Sequence, residues 1–123
     1  MTALAADARQ RTHTWIRLCA VSDLEVERGR AALIGSTQIA LFLLRDDSLH
    51  AVSNLDPYSG ANVISRGIVG TRADAPTIAS PMYKHVFDLR TGICLDPQGK
   101  EPAHLRVWPV ARRGDDLCIR WEE

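Results

Sequence analysis

The sequence lacks the cysteines that a metal cluster or a disulfide framework would need. Its 123 residues contain three cysteines, Cys19, Cys94 and Cys118. The number is odd, and no pair has the Cys-x-x-Cys spacing that is typical of metal sites. We therefore expect three buried thiols that pack like small apolar side chains in a reducing cytoplasm.

Long apolar runs and excess charge are missing as well. No apolar run reaches the roughly 18 residues of a membrane span, and residues 1–12 lack the sustained apolar stretch of a secretory signal. The fifteen basic and fifteen acidic residues balance. The chain therefore has no excess of positive charge that would indicate binding to nucleic acid or to a membrane surface. The dinucleotide fingerprint G-x-G-x-x-G is also absent. These features favour a cytoplasmic domain that binds neither nucleic acid nor membrane.

What is present is a succession of about ten short β-strand patterns separated by turn residues. The predicted strands are 14–20, 31–34, 38–44, 49–53, 68–70, 77–80, 86–89, 93–95, 105–110 and 117–121. The segment 38–44 is nearly all apolar, which predicts a strand that is buried on both faces. With no amphipathic helix pattern, the sequence predicts one all-β domain over residues 13–123, an antiparallel sandwich or small barrel, after an N-terminal tail of residues 1–12.

Two proline-containing loops stand out in this β-rich chain. The first carries Asp56-Pro57-Tyr58, and the second, about twenty residues later, carries Ser80-Pro81-Met82-Tyr83. Each loop has oxygen-bearing side chains two or three residues apart, which is a layout typical of metal ligands. The residue types, however, are not those that hold a metal cluster.

The loops and the strands around them resemble the two halves of a Rieske-type iron–sulfur domain. That family has Cys-Pro-His after one strand, and Cys-Pro-x-His-Gly followed by Phe-Asp-x-x-Thr-Gly after another. Here Ser80-Pro81-Met82-Tyr83 precedes Phe87-Asp88-Leu89 and then Thr91-Gly92. The resemblance covers residues 15–121. It implies a Rieske-like antiparallel β-sandwich into which a smaller loop-bearing subdomain, residues 54–92, is inserted.

The resemblance places the four cluster-ligand positions at Asp56, Tyr58, Ser80 and Tyr83, which we call the ligand-equivalent positions. A Rieske cluster is held by two thiolates and two imidazoles. All four side chains here end in oxygen, and only Asp56 is anionic at neutral pH. Lys84 also stands where the family has glycine. We therefore expect no catalytic residue, no metal and no cofactor in this chain.

Three segments carry a narrower resemblance, to the small subunit of NAD(P)H-dependent nitrite reductase. They are Asn-Leu-Asp-Pro-Tyr-Ser-Gly-Ala at 54–61, Ser-Arg-Gly-Ile-Val-Gly at 65–70 and Ser-Pro-Met-Tyr-Lys at 80–84. The resemblance implies a cofactor-free subunit of a cytoplasmic enzyme that reduces nitrite to ammonium. FAD, siroheme and a [4Fe–4S] cluster would then belong to the large subunit, its partner. The alternatives are a soluble Rieske-type [2Fe–2S] ferredoxin that carries electrons, and a free-standing binding module.

Each ligand-equivalent residue has more than one possible role. Asp56 either caps its own loop, binds a single metal ion or contacts a partner. Tyr58 and Tyr83 either fill the space that a cluster would occupy, with their hydroxyls paired to loop backbone, or present aromatic surface to a partner. We expect Ser80 to hydrogen-bond the backbone of its own loop.

The residues next to these positions complete the expectations. We place Lys84 and His85 at an exposed loop tip, as solvated residues or docking contacts, and we expect Met82 to fill a gap in the core. Arg66 and Arg72 are solvated by default, with an interface role as the alternative. The candidates for contact with a partner are Tyr58, Arg66, Tyr83, Lys84 and His85.

Overall fold

The computed structural model describes residues 13–122, and there the chain forms eleven β-strands and two single 3₁₀ turns, Val21–Asp23 and Ile64–Arg66. The strands are β1 His13–Ala20, β2 Arg30–Ile34, β3 Thr37–Leu43, β4 Leu49–Ser53, β5 Ile68–Arg72, β6 Ala75–Ala79, β7 Val86–Asp88, β8 Cys94–Asp96, β9 Val107–Trp108, β10 Val110–Arg113 and β11 Asp116–Glu122. The predicted tail, residues 1–12, lies outside the described residues. Within the described range no helix is long and apolar enough to cross a membrane.

The strands form three antiparallel sheets, which confirms the all-β prediction. The sheet orders are β1-β11-β10, β2-β3-β4-β9 and β5-β6-β7-β8. The chain leaves the second sheet after β4, builds the whole third sheet, and returns to pair β9 with β4. The third sheet is therefore an insertion into the body formed by the other two, and it continues to Asp96.

Strand β3 lies between two hydrophobic cores and contributes side chains to both. Ile39, Leu41 and Leu43 face the core between the first two sheets. Ala40, Phe42 and Leu44 face the core beneath the inserted sheet. Because successive side chains of a strand point to opposite faces, a strand with a core on each side needs an unbroken apolar run. The expectation that this segment is buried on both faces is confirmed.

The predicted strand 105–110 is two strands that belong to different sheets. Val107–Trp108 pairs with β4, whereas Val110–Arg113 pairs with β11. Pro109 stands between them and has no N–H to give to a ladder. The chain therefore passes from one sheet to the other at the proline.

Two glycines allow the 3₁₀ turn Ile64–Arg66, which follows the first proline loop, to sit close against its neighbours. A Cβ at Gly29 would collide with the carbonyl oxygen of Ser65, and a Cβ at Gly67 would collide with the carbonyl oxygen of Ala79. Only glycine permits such close approach of backbone to backbone. The 3₁₀ turn Ile64–Arg66 is thereby held between the lead into β2 and the end of β6.

Candidate functional site

A buried hydrogen bond joins the two proline loops, residues 54–63 (the first loop) and residues 80–85 (the second loop). The Ser80 hydroxyl donates to Asp56 Oδ2 at 2.5 Å. Both side chains are buried, with at most 1% of either residue exposed. The resemblance to a Rieske domain assigns that family's two thiolate positions to these two residues. A direct carboxylate–hydroxyl contact therefore cross-links the loops there.

The Asp56 carboxylate accepts more than this one bond. Its Oδ1 accepts the backbone N–H of Tyr58 at 2.9 Å and that of Ser59 at 3.4 Å. Burial acts to raise the pKa of the Asp56 carboxyl, but the hydrogen bonds from Ser80, Tyr58 and Ser59 outweigh it and hold the pKa below its ordinary value. The prediction that Asp56 caps its own loop is confirmed, and it also binds the second loop.

Each loop is also closed by its own backbone. Asp56 N–H donates to the carbonyl of Ala61, and Gly60 N–H donates to the carbonyl of Asp56, both at 2.8 Å. In the second loop, Ser80 N–H donates to the carbonyl of His85 at 2.9 Å, and Lys84 N–H donates back to the carbonyl of Ser80 at 3.1 Å. The Asp56–Ser80 bond thus connects two turns that are already formed.

Asn54 fixes the start of the first loop, a role that was not predicted from the sequence. Its side-chain amide donates to Gln38 Oε1 at 2.9 Å and to the carbonyl of Asn62 at 3.2 Å. Its Oδ1 accepts the N–H of Ser65 at 2.7 Å. A buried Asn that uses its donors and its acceptor in this way ties the end of β4 to β3, to the far end of the first loop and to the 3₁₀ turn that follows. The only indication of this role in the sequence is that Asn54 stands two residues before Asp56-Pro57, at the start of the first loop.

Tyr58 points inward and fills the space beneath the loops. Its ring stacks on His85 with centroids 3.8 Å apart and planes 10° apart. Its hydroxyl accepts the N–H of Ala103 at 2.9 Å and can donate to the carbonyl of Glu101 at 3.1 Å or to Cys94 Sγ at 3.4 Å. Burial, and after it the hydrogen bond to Cys94, raise the pKa of this phenol. Of the two expected roles, Tyr58 takes the space-filling one.

His85 is buried, so its placement at an exposed tip is wrong. Only 1% of the residue is exposed. Its ring lies against the face of Tyr58 and meets Tyr83 edge-on, with centroids 6.3 Å apart. Lys84 has a φ of +60°, and this left-handed residue turns the chain so that the next side chain points into the subdomain.

The second loop displays its other side chains to solvent. Tyr83 is 51% exposed and Met82 is 47% exposed, so the expectation that Met82 fills a core gap is wrong. Gln98 Nε2 donates to the carbonyl of Tyr83 at 3.0 Å, and Lys100 Nζ lies 5.3 Å from the centroid of the Tyr83 ring. Tyr83 therefore takes the second role expected of it and presents aromatic surface.

The arginines near the insert differ in their surroundings. Arg66 is exposed at the end of the 3₁₀ turn, beside the first loop. Arg72 forms an ion pair with Asp96, with Nη2 and Oδ2 3.5 Å apart. All three cysteines are buried, as expected, and they form no disulfide within residues 13–122.

The ligand-equivalent positions do not fit a [2Fe–2S] cluster. A metal ion cannot sit between Asp56 and Ser80 while their oxygens are in direct hydrogen-bond contact. The Tyr58 hydroxyl is held by the backbone of residues 101–103, and Tyr83 faces solvent. No three His, Cys, Asp or Glu side chains of the described residues converge as a metal site. Iron–sulfur clusters are held by thiolate or imidazole, and these positions supply neither.

Fold and site together define a class of protein, a Rieske-like β-domain whose two proline loops are held by hydrogen bonds and aromatic packing. The family model for the Rieske-like [2Fe-2S] domain matches residues 14–120. The NADH nitrite reductase small subunit of Escherichia coli K12 is 34% identical over 94 residues, 76% of this chain and 87% of that protein. The chain belongs to the Rieske-like domain family and, within it, to the nitrite reductase small subunits.

Two further relatives extend the comparison. A crystal structure described as an NADH-dependent nitrite reductase small subunit from Mycobacterium tuberculosis superposes with a TM-score of 0.82 at 38% identity, covering 90% of this chain and 97% of that one. The nitrite reductase [NAD(P)H] large subunit of Klebsiella oxytoca is 41% identical over 96 residues, 78% of this chain. The chain spans only 10% of that large subunit's length.

Proposed function

We propose that this chain is a cofactor-free small subunit of an NAD(P)H-dependent nitrite reductase. It assembles with a large subunit that carries the redox cofactors and reduces nitrite to ammonium. The observation that carries the proposal is the Asp56–Ser80 hydrogen bond, which keeps both loops in place where a metal cluster would otherwise hold them. Loops that keep their shape without a cluster can serve a partner by contact.

The Klebsiella relative supports a large-subunit partner. There a segment 41% identical to this chain is part of the large-subunit polypeptide itself. A segment that is covalently joined to a larger protein in one organism has a functional reason to bind the corresponding protein in another. We infer that the small chain and the large subunit form a complex.

The proposed contact surface is the exposed part of the second loop. Met82, Tyr83 and Lys84 face solvent there, and the buried His85 meets the Tyr83 ring edge-on and stacks on Tyr58. Arg66 remains a candidate at the edge of this surface. His85 and Tyr58 act by positioning, because their side chains are already packed within the subdomain. Aromatic residues such as Tyr83 are enriched at protein interfaces.

A Rieske-type ferredoxin has weaker support. Such a carrier must hold iron through thiolate and imidazole ligands, and the donors at the ligand-equivalent positions are a carboxylate and three hydroxyls. We also propose that the chain acts in the cytoplasm, where thiols such as its three buried cysteines stay reduced.

The direct test is co-purification of the full chain with the large nitrite reductase subunit from the same source. We expect a stable complex that Tyr83→Ala weakens. Val26→Ala, which truncates a half-exposed apolar side chain beside the far end of β3, serves as the matched control and should bind normally. If the unaltered chain forms no complex and changes no nitrite-dependent NAD(P)H oxidation, the proposed function is wrong.

A further inference from the structure

The chain contains thirteen arginines but only two lysines, Lys84 and Lys100. The structure brings Lys100 to the aromatic ring of Tyr83, the residue that precedes Lys84. Lys84 directly follows Tyr83 in the second loop, and Lys100 Nζ lies over the Tyr83 ring. We call Tyr83, Lys84 and Lys100 the lysine–tyrosine patch.

The arginines and the lysines are used differently. Each of the seven ion pairs among residues 13–122 joins an arginine to a carboxylate; the arginines are Arg17, Arg28, Arg45, Arg72, Arg90, Arg112 and Arg120. Neither lysine takes part in an ion pair within that range. Many arginine charges are therefore offset inside the molecule, whereas the two ammonium groups are available to an outside partner.

Two left-handed turns position the patch. Lys84 has a φ of +60° and Gln98 a φ of +55°, a region in which glycine is favoured and other residues are held at some cost. Gln98 then bonds the carbonyl of Tyr83, which docks the turn before Lys100 against the second loop. Both lysines are thus presented by turns that the rest of the subdomain holds in place.

Few carboxylates offset these two charges nearby. Asp56 lies beneath the loops but is buried and fully engaged in hydrogen bonds. Asp96 is paired with Arg72. Glu101 is exposed next to Lys100 and is the one acidic residue adjacent to the patch in sequence. In a chain of balanced formal charge, the patch is a local positive area with Tyr83 and Met82 as its apolar centre.

We propose that the lysine–tyrosine patch binds an acidic face of the large subunit, with Tyr83 packed against an apolar centre of that face. This inference rests on the proposed function. An ammonium group is a compact, hydrated point charge on a flexible stem, which suits attraction of an acidic surface at a distance and adjustment on contact. Opposite charges across an interface speed association and select the partner.

Amine labelling tests the contact directly, because the chain has only these two side-chain amines. The unaltered chain, free and in complex with the large subunit, is acylated with an amine-specific reagent and followed by mass spectrometry. We expect Lys84 and Lys100 to react about tenfold more slowly in the complex, as charged groups covered by an interface do. The α-amino group serves as an internal reference for reagent strength. Equal reaction rates in the free and bound chain would overturn the inference.

Charge reversal separates this inference from the proposed function. The double variant Lys84→Glu/Lys100→Glu should bind the large subunit about tenfold more weakly at low ionic strength, with a smaller difference at high salt. The control, Arg45→Glu/Arg112→Glu, makes the same change in net charge near the turn that precedes β4. If both variants bind like the unaltered chain, the patch is not the contact but the proposed function stands. If the unaltered chain does not bind at all, both are wrong.

Discussion

The base and the tip of the two loops contrast in burial and in bonding. At the base, Asp56 and Ser80 are buried, and their side chains are joined by a hydrogen bond. At the tip, Tyr83 and Lys84 face solvent, and the Lys84 backbone adopts a conformation that favours glycine. The base therefore resembles a protein core, whereas the tip has the features of a binding surface.

This contrast divides the ligand-equivalent positions. Asp56, Ser80 and Tyr58 have become structural, because each uses its polar atoms in hydrogen bonds within the chain. Tyr83 alone points outward. Three of the four positions therefore serve the folding of the chain, and we propose that the fourth, Tyr83, serves contact with a partner. The predictions below test whether base and tip are as separate as this.

The largest expected effect is at the base. Asp56→Ala removes a buried carboxylate that accepts three hydrogen bonds and leaves the Ser80 hydroxyl without its acceptor. We expect a loss of about 3 kcal/mol in the free energy of unfolding. Urea denaturation measures the free energy of unfolding. Asp74→Ala, at an exposed position, is the control and should stay within about 0.5 kcal/mol of the unaltered chain. A loss no larger than the control's would show that the cross-link does not hold the loops.

A smaller loss is expected for Ser80→Ala. The Asp56 carboxylate then keeps its two backbone donors but loses the bond between the loops. We expect about 1.5 kcal/mol of destabilisation. A double-mutant cycle with Asp56→Ala should give a clear coupling energy between the two sites. Strictly additive losses would mean that the two side chains act independently.

The Asp56 carboxylate also predicts how stability depends on pH. Its pKa in the folded chain lies below its ordinary value, which is about 3.9 in an unfolded chain. The carboxylate therefore contributes stability above about pH 3.9, and the contribution disappears as pH falls through the lower pKa of the folded state. Denaturation at pH 3 to 6 should show the difference between the unaltered chain and Asp56→Asn shrinking towards acid pH. A difference that is constant over this range would contradict the assignment.

The smallest expected effect is at the tip and has the opposite sign. Lys84→Gly relaxes a backbone conformation that glycine adopts freely, so stability should rise by about 0.5 kcal/mol. Lys84→Ala, which removes the charge but keeps the backbone strain, is the matched control and should bring no gain. Both variants should bind the large subunit more weakly. Thermal denaturation and binding are measured on the same samples. If tip and base are independent, Lys84→Gly gains stability while it loses affinity for the large subunit.

The strands were predicted well from the sequence where turn residues flank an apolar or alternating segment. The strand at residues 49–53 matches β4 at both ends, since Asp46, Asp47 and Ser48 form the turn before it and the first loop follows it. The split at Pro109 was missed because periodicity does not show which sheet a strand joins.

The sequence singled out the two loops but did not indicate the hydrogen bond that joins them. The Asp56–Ser80 contact joins residues 24 apart, and nothing local to either loop indicates it. The burial of His85 was missed for a different reason. Its direction depends on the left-handed Lys84 just before it, a conformation that a lysine does not signal, whereas glycine would have done so.

The most direct test of the central claim, that hydrogen bonds hold these loops in place of a cluster, is the iron content and visible spectrum of the chain purified without oxygen. We predict a colourless protein without stoichiometric iron that keeps its cooperative unfolding transition in the presence of chelator. A brown protein with about two iron atoms per chain and the visible absorption of an iron–sulfur cluster would contradict the account.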